Sequence, residues 1–276
     1  MSKKLSIGYQ VYSAREEAQK NLDGVLSQIA EMGYDGVEFA GFYEHSAKEV
    51  KSMLKKHGLA AASSHVPLAL IQKDMEGTLD YHEEIGCKHI AVPYLDDKTR
   101  PGAPGFAKTL QTIYTFGRMC KKRDIPLLYH NHDFEFIALS GQTALDFLFD
   151  AIPAELLKTE IDTCWVKYAG ADPAAYVRKY AGRCPVVHLK DYVGTRGDRP
   201  PYALIGIDST AARDDSGETP FMFKPVGYGC QNVPELVSAA EESGASWVIV
   251  EQDESPERPP LEAAKMSLET LKKIIR

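Results

Sequence analysis

Four ionisable residues each lie at or near the end of a short apolar segment. They are His130, Asp162, His188 and Glu251. Imidazole suits zinc, iron or nickel, and carboxylates add a preference for manganese and magnesium, so the set predicts a site for a divalent cation. Tens of residues separate neighbouring members, so no single helix or loop can hold them together. The tertiary fold has to assemble the site, and the metal prediction therefore depends on the fold prediction.

The segments around these residues repeat one pattern: an amphipathic helix, a glycine or polar stop, and a short apolar run. In the first copy, Leu22, Leu26 and Ile29 recur at helical spacing. Gly33 then provides a left-handed C-terminal cap, and an apolar run follows at once. The repeats predict eight strands, at residues 5–9, 36–40, 59–63, 88–93, 125–130, 157–162, 185–189 and 247–251. Most runs are apolar throughout, which is typical of parallel strands buried on both faces.

Eight strand–helix units in 276 residues predict an α/β fold, a single (β/α)8 TIM barrel over residues 1–276. A doubly wound open sheet is the competing architecture, but no GxGxxG sequence follows the first strand. Residues 191–231 break the pattern, because they are rich in Gly, Pro, Asp and Arg and too long for an ordinary strand–helix loop. We predict a loop insertion at the catalytic face after the seventh strand. It serves either as a lid or subunit contact, or as a plain surface insertion.

Polar motifs stand at the predicted strand ends, where barrel enzymes carry their functional residues. The fifth strand ends in His-Asn-His-Asp-Phe-Glu (130–135) and the sixth in Glu-Ile-Asp (160–162). The seventh ends in His-Leu-Lys-Asp (188–191) and the eighth in Glu-Gln-Asp (251–253). The carboxyl ends of barrel strands meet on one rim, so we expect these groups to converge on one site.

In this order on successive strands, the motifs resemble the xylose isomerase-like barrel superfamily of sugar isomerases and epimerases. That superfamily also contains the inosose dehydratases and the endonucleases of AP endonuclease family 2. The resemblance covers essentially the whole chain and implies one divalent metal ion, manganese first, with magnesium, zinc or cobalt as alternatives. Asp162, His188 and Glu251 match three of the family's metal ligands. His130 stands where many of the epimerases have a glutamate, and we assign it as the fourth ligand.

The resemblance implies a metal-dependent isomerase or epimerase that removes a proton next to the carbonyl of a keto-sugar or keto-polyol, through an enediolate. In two-base epimerases a pair of ligand carboxylates exchanges the proton, and His130 leaves only Glu251 of that pair. His132, Glu135 and Lys190 are the further candidate acid/base groups. The alternative is a lyase, either an inosose dehydratase or an enzyme of 3-keto-glycoside β-elimination, which needs no second carboxylate. A subunit that binds metal or sugar without turnover is the remote alternative.

Four residues are candidates for contacts with the sugar: Glu38, His65, Phe134 and Trp165. The aromatic faces of Phe134 and Trp165 suit stacking on a sugar ring. Glu38 and His65 are equally well explained as hydrogen-bonded structural groups. Lys190 also has a structural alternative, a buried ion pair with Asp191 or Glu160.

Composition and charge argue against other classes of protein. The chain has 32 Lys and Arg against 39 Asp and Glu, a formal net charge of −7, which disfavours a nucleic-acid surface. Trp165 stands where the family's DNA-repair endonucleases have a metal-ligating histidine. Five cysteines without a CxxC pair indicate reduced thiols, and no segment approaches the roughly 20 apolar residues of a membrane span. We expect a cytoplasmic enzyme with a small-molecule sugar substrate, no nucleic acid or membrane partner, and homo-oligomerisation left open.

Overall fold

Eight parallel strands close into a barrel. The computed structural model of the protein describes residues 5–195 and 221–275. The barrel strands are β1 (Ser6–Gln10), β2 (Gly36–Phe39), β3 (Ala60–His65), β4 (Ile90–Val92), β5 (Leu127–His130), β8 (Lys158–Asp162), β9 (Val186–Leu189) and β12 (Trp247–Val250). Each pairs in parallel with the next, and β12 pairs with β1 to close the ring. The predicted strands and the (β/α)8 barrel are confirmed, and the open sheet is wrong.

Helices return the chain between the barrel strands. They are α1 (Arg15–Met32), α2 (Ala47–His57), α3 (Leu68–Lys73), α4 (Met75–Glu84), α5 (Phe106–Lys122), α6 (Ala144–Ala151), α7 (Thr163–Tyr168), α8 (Pro173–Lys179), α9 (Val233–Glu242) and α10 (Pro260–Ile274). Two 3-10 turns, η1 (Val11–Ala14) and η2 (Phe134–Phe136), follow β1 and β5. Within the described ranges, none of these helices has both the length and the apolar character needed to cross a membrane.

Local sequence explains where these helices begin and end. The buried side of α1 carries Leu22, Leu26 and Ile29, as their spacing predicts, and Gly33 ends it at a φ of 93°. That left-handed conformation is unfavourable for residues with a Cβ. Ser46 starts α2 with a capping box: its hydroxyl accepts from the Glu49 N–H while the Glu49 carboxylate accepts from the Ser46 N–H.

The barrel interior has an apolar lower layer and a polar upper layer. Ala62, Ala91, Leu128, Val186 and Ile249 fill the lower layer and are fully buried. Side chains two residues apart on a strand share a face, so the next inward residues lie one layer nearer the carboxyl ends. There the sequence supplies acids and imidazoles instead of aliphatic groups. The barrel therefore places its polar groups at a single end.

The predicted insertion begins and ends in a small antiparallel ribbon, β10 (Asp191–Val193) paired with β11 (Met222–Lys224). A second ribbon pairs β6 (Ala138–Leu139) with β7 (Gln142–Thr143) after β5. Residues 196–220 of the insertion lie outside the described residues. The Asp191 carboxylate accepts four backbone N–H groups, from Tyr192, Gly227, Gly229 and Gln231, at 2.9–3.0 Å. Asp191 thus fastens the returning chain to β10.

Candidate active site

The predicted metal ligands converge at the carboxyl end of the barrel. We call His130, Asp162, His188 and Glu251 the rim tetrad; one ligand atom from each lies within 4.8 Å of the others. His188 Nδ1 lies 3.0 Å from Glu251 Oε2, and His130 Nε2 lies 3.7 Å from Asp162 Oδ2. All four side chains are buried.

The helix that follows β8 fixes the direction of Asp162. Its Oδ1 accepts the backbone N–H groups of Cys164 (2.8 Å) and Trp165 (3.1 Å) and so caps α7. The other oxygen, Oδ2, accepts no aligned hydrogen bond from a described residue and is directed into the tetrad. A buried carboxylate oxygen held in this way beside two imidazoles is a suitable donor for a divalent cation. The rim tetrad therefore fits the implied metal ion in donor type and spacing.

A second set of buried groups lies beside the rim tetrad and shares two of its histidines. His65, His130, Glu160 and His188 also lie within 4.8 Å of one another, and we call them the inner tetrad. His65 Nε2 lies 2.7 Å from Glu160 Oε2 and 2.9 Å from Glu38 Oε1. The fold thus brings Glu38 and His65 to the site, where their main contacts are with each other and with Glu160 in a network of buried ions. Glu38 is 0 % exposed, which contradicts its predicted contact with a sugar.

Lys190 reaches into the rim from β9. Its Nζ lies 2.9 Å from Glu251 Oε2, 3.2 Å from Asp162 Oδ2 and 3.0 Å from Asp253 Oδ1. The structural alternative, an ion pair with Asp191 or Glu160, is wrong: Asp191 is taken up by backbone N–H groups, and Glu160 by His65. Lys190 is instead the counter-ion of the rim carboxylates.

These contacts set the protonation of the rim. Burial disfavours the ammonium of Lys190, but the Asp162, Asp253 and Glu251 carboxylates hold its pKa well above the ordinary lysine value. Burial opposes ionisation of Glu251 as well, yet Lys190 and His188 keep its pKa well below the usual range. Burial, with Glu251 nearby, raises the pKa of Asp253 to about 7 despite Lys190. At neutral pH the rim thus holds an ammonium beside an ionised carboxylate.

The imidazoles divide into charged and neutral groups. Burial works against protonation of His65, but Glu38 and Glu160 raise its pKa to about 10. The same two carboxylates, with Glu251, raise the pKa of His188. Burial and the neighbouring positive groups lower the pKa of His130 and His132 well below the ordinary value. His130 and His132 are therefore neutral imidazoles, the form that ligates metals or accepts protons.

A cavity of about 380 Å³ opens above these groups. Its charged side is formed by His130, His132, Lys190, Glu251 and Asp253 from the strands β5, β9 and β12. Its apolar side is formed by Ala40, Gly41, Pro67, Leu70 and Pro93, which follow β2, β3 and β4. Tyr12, His65 and Tyr94 complete the lining. The cavity is large enough for a sugar and presents most of its acid/base groups from one side, with His65 at the end of β3 as the exception.

Phe134 and Trp165 pack against His132 and do not line the cavity that the described residues form. The His132 ring stacks on Phe134 at 11° and on Trp165 at 25°, with centroids 5.5 and 5.3 Å apart. Trp165 is 0 % exposed, which contradicts its predicted stacking on a sugar, because α7 turns the indole under His132. Phe134 is partly buried and also carries the Arg100 guanidinium, 3.8 Å from its ring centroid. Neither ring is among the described residues that line the cavity.

Glu135 is fully buried and does not reach the cavity. Its carboxylate accepts the Tyr129 hydroxyl at 2.6 Å and the His132 N–H at 2.8 Å. Burial raises its pKa to about 7 against these hydrogen bonds. Its predicted acid/base role is not favoured by this position; Glu135 holds the turn that carries His132.

Sequence reasoning assigned no functional role to several groups at the site. Glu160 and Asp253 stand in the predicted strand-end motifs, two residues from Asp162 and Glu251, and that spacing places each pair on one face of an extended chain. The same spacing would have assigned both to the site. Tyr12 and Tyr94 carried no such signal, because each lies in a connection whose path only the fold determines. Gln10, which donates to Glu38 at 2.6 Å, was likewise missed.

Comparisons with known proteins identify the family and agree with the barrel fold. The family model described as Xylose isomerase-like TIM barrel matches residues 26–274. An inosose dehydratase from Geobacillus kaustophilus (strain HTA426) is 23% identical over 277 residues, covering 92% of this chain and 87% of that protein. The crystal structure of a sugar phosphate isomerase/epimerase from Parabacteroides distasonis superimposes with a TM-score of 0.77 at 20% identity, covering 100% of this chain and 96% of the other.

A probable 3-DHS dehydratase from Bacillus anthracis has the same fold, with a TM-score of 0.71 at 12% identity; 97% of this chain and 99% of that one are covered. By their names, these relatives and neighbours modify carbohydrates or related ring compounds. The family match spans most of the chain, and the barrel topology is the one that the family's description gives. This chain belongs to the Xylose isomerase-like TIM barrel family.

Proposed function

We propose that this protein is a metal-dependent enzyme that removes a proton next to the carbonyl of a keto-sugar or keto-polyol and then eliminates water from the resulting enediolate. The observation that carries the proposal is the 2.9 Å contact between Lys190 Nζ and Glu251 Oε2, both of which line a cavity of sugar size. The rim tetrad would hold the divalent cation. When bound, that cation supplies Lewis acidity to the carbonyl and stabilises developing negative charge.

Glu251 and Lys190 have complementary roles in this reaction. The Glu251 carboxylate accepts the proton from the carbon next to the carbonyl. The Lys190 ammonium donates a proton to the departing hydroxyl, which leaves as water while the carbon–oxygen bond breaks and the carbon–carbon double bond forms. The proton then passes from the Glu251 carboxyl to the Lys190 amine across their 2.9 Å contact, which restores both groups. General acid–base catalysis of this kind contributes about 10²–10⁴-fold.

The one-sided cavity favours elimination over two-base epimerisation. A two-base mechanism needs a second base on the opposite face of the substrate. Among the described lining residues that side is formed mainly by Ala40, Pro67, Leu70 and Pro93, and its imidazole, His65, is held between Glu38 and Glu160. His130, at the position of the epimerases' glutamate, is a neutral imidazole. Two relatives that match 92% of this chain are named inosose dehydratases, and these names support elimination as well.

A sugar isomerase or epimerase is the second candidate. His132 is neutral, lines the charged side of the cavity and is held by Phe134 and Trp165, so it can return a proton to a neighbouring carbon. The similarity in fold to a sugar phosphate isomerase/epimerase is compatible with this outcome. Both candidates share the first proton abstraction and differ in the fate of the enediolate.

Proton exchange followed by NMR tests the proposal. Manganese-loaded protein for turnover, and magnesium-loaded protein for spectra, would be incubated in D₂O with inososes, ketohexoses and 3-keto-glycosides, beside Glu251→Gln. We expect deuterium next to the carbonyl and an unsaturated product, with both lost in the variant. An epimer or aldose without unsaturated product would support the second candidate. Metal binding without exchange on any substrate would overturn both and favour a binding subunit.

A further inference from the structure

The two imidazoles of the rim tetrad each have a second ring nitrogen that faces away from the rim. His130 Nδ1 lies 3.3 Å from Glu160 Oε2, and His188 Nε2 lies 2.7 Å from Glu38 Oε1. Both nitrogens are buried, and neither contact is aligned as a hydrogen bond. The two carboxylates are the charged groups that these nitrogens face. The opposite nitrogens, His130 Nε2 and His188 Nδ1, face the carboxylates of the rim.

A third imidazole joins the two inner carboxylates. His65 Nε2 lies between Glu38 Oε1, at 2.9 Å, and Glu160 Oε2, at 2.7 Å. The Gln10 amide donates to Glu38 at 2.6 Å, and the Ser63 hydroxyl donates to Glu160 at 3.4 Å. Both carboxylates are 0 % exposed, so protein groups rather than bulk water fix their positions.

We propose that Glu38, His65 and Glu160 are positioning residues for the metal ligands. The two carboxylates hold protons on His130 Nδ1 and His188 Nε2. His130 Nε2 is then a lone pair for the cation, and His188 Nδ1 becomes one when the cation displaces its proton. A ligating histidine whose other N–H meets a carboxylate keeps one tautomer and one ring orientation, and it becomes a more basic ligand. The inference rests on the proposed function only in requiring a cation at the rim.

The competing arrangement puts the ion in the inner tetrad, where His65 and Glu160 would be ligands themselves. There, however, His65 Nε2 is already at hydrogen-bond distance from Glu160, and the two groups satisfy each other. At the rim, the capping contacts occupy only Asp162 Oδ1, and Oδ2 faces the tetrad beside Lys190. The rim tetrad also supplies two carboxylates where the inner tetrad supplies one, and this charge points to the rim as the position of a divalent ion.

Metal affinity of graded variants tests the inference without substrate. Mn²⁺ binding would be titrated by calorimetry, and bound metal counted after dialysis, for wild type and for Gln and Ala variants of Glu38 and Glu160. Gln keeps a neutral acceptor and Ala keeps none, so we expect one ion per chain throughout. The Ala variants should bind about 10–100-fold more weakly, with Gln between. Asp146→Asn, a buried carboxylate on α6, serves as the control and should bind as wild type does.

Imidazole ¹⁵N shifts of the zinc-loaded protein provide a spectroscopic readout. We expect a protonated Nδ1 on His130 and a protonated Nε2 on His188 in wild type, with mixed tautomers in Glu160→Ala and Glu38→Ala respectively. Unchanged affinity and tautomers would overturn the inference. So would loss of the ion in Glu160→Gln together with its retention in Asp162→Asn, since the inner tetrad would then be the site. A wild type without bound metal overturns both proposals, whereas metal binding without proton exchange overturns only the function.

Discussion

The ammonium of Lys190 lies 2.9 Å from Glu251 Oε2 in the mouth of the barrel. The same ammonium also contacts Asp162 and Asp253, and all four side chains are buried. One lysine therefore supplies positive charge to three buried carboxylates. The contact joins the two groups to which we assign the proton transfers.

Replacing Lys190 distinguishes the stability that the lysine charge supplies from the stability that a bound metal would supply. In Lys190→Met three buried carboxylates lose their counter-ion, so we expect the metal-free protein to lose about 3–5 kcal/mol of stability. Mn²⁺ should then raise the Tm of the variant more than that of wild type, while turnover falls by about 10²–10⁴-fold. Differential scanning calorimetry with and without Mn²⁺ measures this. Lys51→Met, at an exposed pair with Glu84, should change neither quantity. Equal metal effects on both variants would contradict the prediction.

Asp162 caps a helix and is a predicted metal ligand, and two variants distinguish these roles. Asp162→Asn keeps an oxygen for the N–H groups of Cys164 and Trp165, so stability should change little while Mn²⁺ affinity falls at least tenfold. Asp162→Ala loses both functions and should cost about 1 kcal/mol more in unfolding free energy. Urea unfolding and metal titration of the pair provide the test. Equal stabilities would rule out the capping role.

Four backbone N–H groups donate to the Asp191 carboxylate, so we predict local unfolding when this carboxylate is removed. In Asp191→Ala these partly buried donors lose their acceptor, and we expect a cost of about 2–4 kcal/mol. Hydrogen exchange should accelerate at residues 226–231. Asp172→Ala, which removes an exposed cap of α8, should cost only about 1 kcal/mol and leave that exchange unchanged. Gly229→Ala should resemble Asp191→Ala, since its Cβ would lie 2.2 Å from Asp191 Oδ1.

His82 lies on α4, outside the site, and makes the free energy of unfolding depend on pH. Burial lowers its pKa to about 4, against a hydrogen bond to the Thr78 carbonyl. The unfolded chain therefore binds the proton more readily, and stability falls as pH decreases from about 6.5 towards 4, by about 3 kcal/mol in all. His82→Met should flatten the profile over that interval in urea unfolding. A variant profile parallel to that of wild type would assign the acid sensitivity to other groups.

The sequence alone predicted the barrel and the four residues that converge at its rim. Parallel strands are buried on both faces, so each is a continuous apolar run, and the chemistry begins where that run stops. His130, Asp162 and Glu251 stand at those boundaries, and their role as a set could be predicted without coordinates. Glu160 and Asp253 were within reach of the same reasoning, because strand alternation puts them on the faces of Asp162 and Glu251.

Only the tertiary structure decided what each polar group faces. Glu38 and His65 end strands β2 and β3 as sugar-binding residues would, but closure of the barrel brings Glu160 and His188 against them, so they form a buried ion network. Trp165 has the ring for a sugar platform, and the cap by Asp162 turns it beneath His132 instead. Spacing along the chain determines which residues share a face. Distances across the barrel depend on shear and strand tilt, which the whole ring determines together.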